Sequence, residues 1–336
     1  MILADAIGKR TRRDIFNDRG ILLIPRHVII LEEHLDILYN HGVYLNEDDL
    51  ADPDEKLTFN TQQELDESVK MACSYFEDIR MTKKVPLAEL RQDVLPVIQE
   101  ACSESTLYDL FTSLQAKDDY TYRHNIAVGT FANMLGSWLG LDKQELLQLT
   151  TAALLHDVGK MLIPEEILNK PDKLTDEEYE EMKEHTIYGY ELLKQTTGIN
   201  HRQALVALQH HERLDGSGYP HGIKGDQIDL FSRIVAVADV FHAMTSQRVY
   251  REPSPFYEVL LQMSDDTYGA LDPKITNIFI EKLMYTLIGQ QVILTDDRQG
   301  IILMVNAHDP IRPLVQVEDE YVDLSKDYSI HIKQVL

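Results

Sequence analysis

The chain has 336 residues, 32 of them basic and 56 acidic, so its formal charge is −24. With 44 % hydrophobic and 26 % charged residues it has the composition of a water-soluble globular protein, and at roughly 150 residues per domain it is long enough for about two. That charge argues against the broad basic face that polymeric nucleic acid requires, so a phosphorylated ligand would need a pocket with locally concentrated positive charge. The opening Met1-Ile2-Leu3-Ala4-Asp5 lacks a charged start followed by an apolar run, and no stretch approaches ~18 apolar residues. A soluble cytoplasmic protein without membrane insertion is expected. Cys73 and Cys102 are too few for a disulfide framework or a zinc ribbon and read as inert thiols.

Three regions differ in texture. In residues 1–60, Ile15 to Pro25 reads as two short strands around an Asn17-Asp18-Arg19-Gly20 turn, and Val28 to Leu38 has helical spacing ended by His41-Gly42. Asp48 to Asp54 is acidic, contains a proline and reads as a solvated linker. Residues 61–290 read as helices almost throughout. One helix opens at Thr61-Gln62-Gln63-Glu64 and is interrupted by Pro86, and the helical pattern then continues from Leu87 to Gln115. A second strong pattern covers Lys143 to Leu155. A capping box at Thr175-Asp176-Glu177-Glu178 opens an acidic helix to about Lys194, whose charges read as a solvated face. From Gln291 the period changes to short strands at Val292–Thr295, Ile301–Val305, Leu314–Val317 and Ile330–Ile332, separated by turns. This C-terminal β-module could pack with the N-terminal strands as one discontinuous domain. The expected fold is therefore mainly α, a helical bundle flanked by a small N-terminal α/β region and a C-terminal β-module.

The chemistry-bearing residues concentrate in the helical region. His124, His156-Asp157, His185, His210-His211 and Asp239 stand where a bundle can bring them to one point. Neighbouring residues on a helix diverge by about 100°, so His156 and Asp157 can approach two ions, or one ion from two directions. A carboxylate can bridge two cations, while neutral imidazoles ligate them separately. Asp239 lies in the apolar run Ile234 to Phe241, where a buried carboxylate needs a cation or hydrogen bonds to offset its desolvation. Each of these residues alone has an ordinary structural explanation. Their co-occurrence gains weight from the segment His210-His211-Glu212-Arg213-Leu214-Asp215-Gly216-Ser217-Gly218-Tyr219-Pro220, whose glycines and proline allow close backbone approach.

Taken in order, Tyr120-Thr121-Tyr122-Arg123-His124, His156-Asp157-Val158-Gly159-Lys160, His185, the glycine-rich loop and Ala238-Asp239 through Arg248-Val249-Tyr250-Arg251 resemble the HD-GYP phosphohydrolases. These are a subgroup of the metal-dependent HD superfamily that typically hydrolyses the bacterial second messenger cyclic di-GMP. The resemblance runs from about Asp118 to Arg251. It implies a centre of two divalent ions held by His156, Asp157, His185, His210, His211 and Asp239, with Asp157 bridging. Iron or manganese suits such a ligand set, with zinc or nickel as alternatives. Relatives with three ions carry a Glu four residues before the position of His124; Tyr120 stands there, so two ions are expected. His124 would be an outer or weak ligand, or lie near the substrate phosphate. Lys160 and Asp118 match residues beside the scissile phosphate, Tyr219 would flank a guanine, and Arg248 and Arg251 would bind phosphates. Two departures are His242, where the family usually has Asp, and Val249 in place of a proline.

The implied reaction is attack of a metal-bridging hydroxide on cyclic di-GMP to give linear pGpG, with a second cut to GMP left open. The alternatives are an HD hydrolase of another cyclic dinucleotide or nucleotide phosphate, and a non-catalytic cyclic di-GMP sensor. A homodimer or a regulatory protein partner also stays open.

Overall fold

The computed structural model describes residues 6–11, 15–17, 22–24, 29–46, 49–51, 61–115, 120–246, 256–266, 269–306 and 308–336. The Asn17–Gly20 turn (from Asp18 on), most of the acidic linker, Asp118, Arg248 and Arg251 lie outside the described residues.

At the N-terminal end, β1 (Arg10–Thr11) and β2 (Ile15–Phe16) precede β3 (Leu22–Ile24), α1 (Glu32–Asn40) and β4 (Leu50–Ala51). β2 pairs antiparallel with β3, and β1 with β4. Helix α1 starts four residues later than its apolar spacing suggests. Ile29 bridges to Arg10, and the Ile30 backbone exchanges hydrogen bonds with Gly8 and Lys9, so extended pairing claims these two residues first. Ala6, Ile15, Ile24, Ile30, Leu38, Leu45 and Leu50 bury one another in a cluster of their own.

Helix α2 (Thr61–Thr82) buries Leu65, Val69, Ala72, Phe76 and Ile79, the stripe that three-and-four spacing requires. The following helical stretch is not continuous. α3 (Leu87–Glu89) passes through a π-helical turn over Leu90–Val94 into α4 (Leu95–Glu104), then α5 (Leu107–Leu114) restarts. Pro96 has no N–H for the Gln92 carbonyl, which accounts for the widened turn just before it. The restart is capped by Thr106, whose side chain accepts from the Asp109 N–H.

α6 (Tyr120–Trp138) is the central helix. Residues 123–136 are buried on every side, and α2, α4, α5, α7 (Lys143–Leu154) and a later helix pack around it. A 3-10 turn at Val158–Leu162 and α8 (Glu165–Leu168) lead to α9 (Asp176–Lys183) and α10 (His185–Lys194). The sequence pattern suggests one helix here, but it breaks at Glu184. His185 Nδ1 and Thr186 Oγ1 take the carbonyls of Met182 and Lys183, competing with the backbone ladder. α11 (His201–Gln209), α12 (Leu230–Thr245), α13 (Phe256–Asp266) and α14 (Pro273–Thr286) complete the bundle, with α12 packed along α6.

β5 (Gln291–Leu294), β6 (Gln299–Asn306), β7 (Asp309–Val317), β8 (Glu320–Asp323) and β9 (Ile332–Val335) form one antiparallel sheet in the order β8-β7-β6-β5-β9. β8 escapes the apolar pattern because it is an edge strand with exposed Glu320 and Tyr321. β7 alternates strictly, turning Ile311, Pro313, Val315 and Val317 inward. The sheet packs on α13 and α14, and its buried residues join the helical core in one continuous cluster. The fold is mainly α with a C-terminal sheet. Among the described residues, no helix is long and apolar enough to cross a membrane.

Candidate metal centre

The inward-facing residues come from helix ends and helix middles around α6. His124 is in the second turn of α6, and His156-Asp157 follow the C-terminus of α7. His185 is the first residue of α10, exposed to the centre by the break at Glu184. His210 caps α11, with His211 next to it, and Asp239 lies mid-way along α12. Two glycines set the approach of these segments. A Cβ on Gly159 would stand 1.9 Å from the His185 carbonyl oxygen and 2.5 Å from the Gly189 amide nitrogen. Only glycine lets the turn carrying His156-Asp157 lie directly on α10.

Asp157 is the hub. Its Oδ1 faces Nε2 of His185 at 3.3 Å and of His210 at 3.7 Å. Its Oδ2 faces Nε2 of His156 at 3.4 Å and of His124 at 3.9 Å. Two groups of candidate ligand atoms result, each with its atoms within 4.8 Å of one another: Asp157, His185, His210 and His211; and His124, His156 and Asp157. Asp239 spans the same gap, with Oδ1 at 3.1 Å from His124 Nε2 and Oδ2 at 3.9 Å from His211 Nδ1. His124, an outer or weak ligand by resemblance, stands 3.9 Å from the Asp157 carboxylate, somewhat farther than His185, His156 and His210 at 3.3, 3.4 and 3.7 Å.

The hydrogen bonds fix which ring nitrogens face inward. Nδ1 of His156 bonds the Ala153 carbonyl, Nδ1 of His185 that of Met182, and Nδ1 of His210 those of Val206 and Ala207. Carbonyls only accept, so these Nδ1 atoms hold the protons and the Nε2 lone pairs point into the centre. Nε2 of His185 and Nε2 of His210 then face each other at 3.4 Å, lone pair to lone pair. His156 Nε2 and Asp157 Oδ1 are buried without a hydrogen-bond partner. Such an arrangement repels itself until cations enter, so the residues fit a metal centre.

Protonation agrees. Burial holds His185 down to about 3 and also lowers His124, His210 and His211, which keeps these rings neutral. Burial pushes His156 down too, but the Asp157 carboxylate against it outweighs burial and leaves it raised. Burial raises Asp157, yet Lys160 and His156 hold it well below the usual carboxylate range; His124 does the same for Asp239. Neutral imidazoles and ionised carboxylates are the forms that bind divalent ions.

At the mouth, Lys160 Nζ lies 2.5 Å from Asp157 Oδ2. The Tyr219 ring sits over His211 at 4.6 Å between centroids. Glu212, which the sequence reading did not single out, pins the loop: its carboxylate accepts the His221 and Ile223 N–H groups at 2.7 and 3.2 Å. The only available signal was its place directly after the histidine pair. Lys183 was assigned to the solvated face of an acidic helix, yet its ammonium lies 5.7 Å from the Tyr219 ring centroid. Asp118, Arg248 and Arg251 are outside the described residues, so their placement relative to this centre is not described.

Comparison with known proteins adds the following. The chain is 33 % identical over 244 residues to the cyclic di-GMP phosphodiesterase PA4108 of Pseudomonas aeruginosa, covering 73 % of this chain and 59 % of that protein. It is 44 % identical over 185 residues to the cyclic di-GMP phosphodiesterase response regulator RpfG of Xanthomonas campestris, covering 54 % and 48 %. A 3′3′-cGAMP-specific phosphodiesterase of Vibrio cholerae is 39 % identical over 171 residues, covering 50 % and 39 %. The chain thus spans about half the length of the curated relatives it matches. The solved HDG"Y"P protein Bd1817 from Bdellovibrio bacteriovorus shares the fold with a TM-score of 0.54 at 17 % identity, over 82 % of this chain and 93 % of that one. Residues 107–275 match the family described as HD domain. That segment runs from the helix before His124 to beyond Asp239, so it holds the whole inward-facing set, and the chain belongs to the HD domain family.

Proposed function

We propose that this chain is a metal-dependent phosphodiesterase that opens a cyclic dinucleotide, cyclic di-GMP first, at a centre of two divalent ions. The observation that carries the reading is Asp157, whose two oxygens face two separate groups of histidines. His156, Asp157, His185, His210, His211 and Asp239 would hold the ions, with His124 joining them. Iron or manganese matches mixed imidazole and carboxylate ligation, and zinc or nickel is compatible. When bound, two such ions supply Lewis acidity to a phosphoryl oxygen and activate an attacking water.

The chain's own groups do the rest. Lys160 stands against Asp157 with its side chain 24 % exposed, so its ammonium can reach an equatorial phosphoryl oxygen without losing the carboxylate's field. Tyr219 offers a ring face beside His211 on which a purine can stack, and Glu212 holds that loop in place. Asp118, Arg248 and Arg251 enter by resemblance as groups for the scissile and flanking phosphates. The product would be linear pGpG. 3′3′-cGAMP is a second substrate to weigh, because relatives named for that specificity also match this chain.

The test is hydrolysis of both dinucleotides by protein purified without oxygen and loaded with ferrous or manganous ions, together with metal analysis. Cyclic di-GMP turnover that chelation abolishes is expected. The His156→Ala, Asp157→Ala double variant should lose turnover and bound metal together. Normal turnover in that variant would sink the site assignment. Tight binding with no product after reloading would favour a sensor.

A further inference from the structure

Lys183 is the last residue of α9, on a helix that otherwise carries the charges of Asp176, Glu177, Glu178, Glu180 and Glu181. A cation at a helix C-terminus is favourable in itself, and its Nζ pairs with Glu180 Oε1 at 2.7 Å. That pair is weak, because the Glu180 side chain is 70 % exposed and solvent screens it. The rest of the surroundings do not belong to a solvated face. The Lys183 side chain is only 24 % exposed, and its ammonium stands 5.4 Å from the Tyr179 ring centroid and 5.7 Å from that of Tyr219. Tyr219 in turn lies 4.6 Å from the His211 ring and 6.4 Å from the His185 ring, centroid to centroid. The break at Glu184 that presents His185 to the centre thus leaves Lys183 at its mouth, against the aromatic platform there.

A purine stacked on Tyr219 lies within the sweep of the flexible four-carbon stem that carries this ammonium. An ammonium has three donors and no acceptor. Guanine offers it two adjacent acceptors, O6 and N7, whereas adenine offers N7 beside an N6 amino group that is itself a donor. We infer that Lys183 is a specificity-determining residue: its ammonium reads the purine on Tyr219 as guanine, through O6 and N7, and disfavours adenine. This rests on the cyclic-dinucleotide reading above and names the residue that sets its base preference. The weak pair with Glu180 is what the ammonium gives up to do so.

The experiment compares cyclic di-GMP with cyclic di-AMP, in which the base on Tyr219 has to be adenine. Binding of each to the full chain is titrated with metal chelated, so that turnover does not consume the ligand, and KM and kcat are read on manganese-loaded protein. Wild type should favour cyclic di-GMP by about tenfold or more. Lys183→Met should lose that preference through weaker binding of cyclic di-GMP, with the change in KM and kcat within a few-fold. Lys183→Arg, which keeps paired donors, should hold the preference. Lys183→Gln, whose amide both donates to N7 and accepts from N6, should move it toward cyclic di-AMP. A helix-end or packing role would not make the effect depend on the base. Equal weakening of both dinucleotides in Lys183→Met would make Lys183 a phosphate contact and overturn the inference, as would an unchanged preference. If the methionine variant does not fold, the glutamine variant decides: a shift toward cyclic di-AMP supports the inference, and a wild-type preference overturns it. A wild-type chain that turns over cyclic di-GMP without preferring it to cyclic di-AMP overturns this inference alone. One that neither binds nor cleaves either dinucleotide overturns the proposed function as well.

Discussion

Each of His156, His185 and His210 spends its Nδ1 proton on a carbonyl three or four residues back in its own chain. A backbone carbonyl is always an acceptor, so the tautomer is decided before any ion arrives, and the inner nitrogens need no rearrangement to ligate. Lys160 is different. It touches the hub carboxylate, so under the proposed function its contribution would be to charge rather than to metal holding. Lys160→Met should lower kcat by about 10²–10³-fold while metal content stays at the wild-type level, measured by turnover and elemental analysis on the same preparation. Loss of metal in that variant would instead make Lys160 part of the binding of the ions.

The crossing of the 3-10 turn on α10 sets how far His156-Asp157 lie from His185. A Cβ on Gly159 collides with backbone at 1.9 Å, whereas a Cβ on Gly189 meets Ala207 Cβ and Gly159 nitrogen at 3.2 Å. Backbone cannot swing aside as a flexible side chain does. Gly159→Ala should therefore destabilise by about 3 kcal/mol or more, and Gly189→Ala by about 1 kcal/mol, as read from urea unfolding. Equal effects would mean that the turn can lift off the helix. The break at Glu184 belongs to this scale too. The capping box at Thr175 marks where the helical run begins, but nothing in the amino-acid pattern marks its end, because the competitors for its last carbonyls are His185 and Thr186 themselves.

Across the whole molecule, the candidate metal centre would be a store of conditional stability. The inward lone pairs and ionised carboxylates oppose one another without cations, so metal bound only by the folded state adds stability by mass action. At a metal concentration of about 100 times Kd, melting should rise on the order of 5 °C over chelated protein. No shift on adding manganese or ferrous ions would count against a metal centre. The C-terminal sheet is tied into the same body. Val292, Leu294, Ile302 and Val315 are fully buried in the core that includes α13 and α14. At about 1.5–3 kcal/mol per buried aliphatic side chain, their loss matches a large part of a domain's net stability. A chain ending at residue 290 should fail to unfold cooperatively in urea; a folded, active truncation would show that the sheet is dispensable.

The helical bundle, its capping boxes and the strands of the C-terminal sheet were legible because apolar period, capping residues and turn residues are local signals. So were the residue types of the centre, since His156-Asp157, the His210-His211 pair and Asp239 in an apolar helix announce chemistry before any coordinates. What only the tertiary structure decided is how the two Asp157 oxygens divide the histidines, that His124 stands among them, and that His242 and Leu114 lie behind it. Those relations reach across as many as 128 positions of the chain, and hydrogen-bond direction depends on where backbone carbonyls end up. Local pattern carries no record of that; packing does.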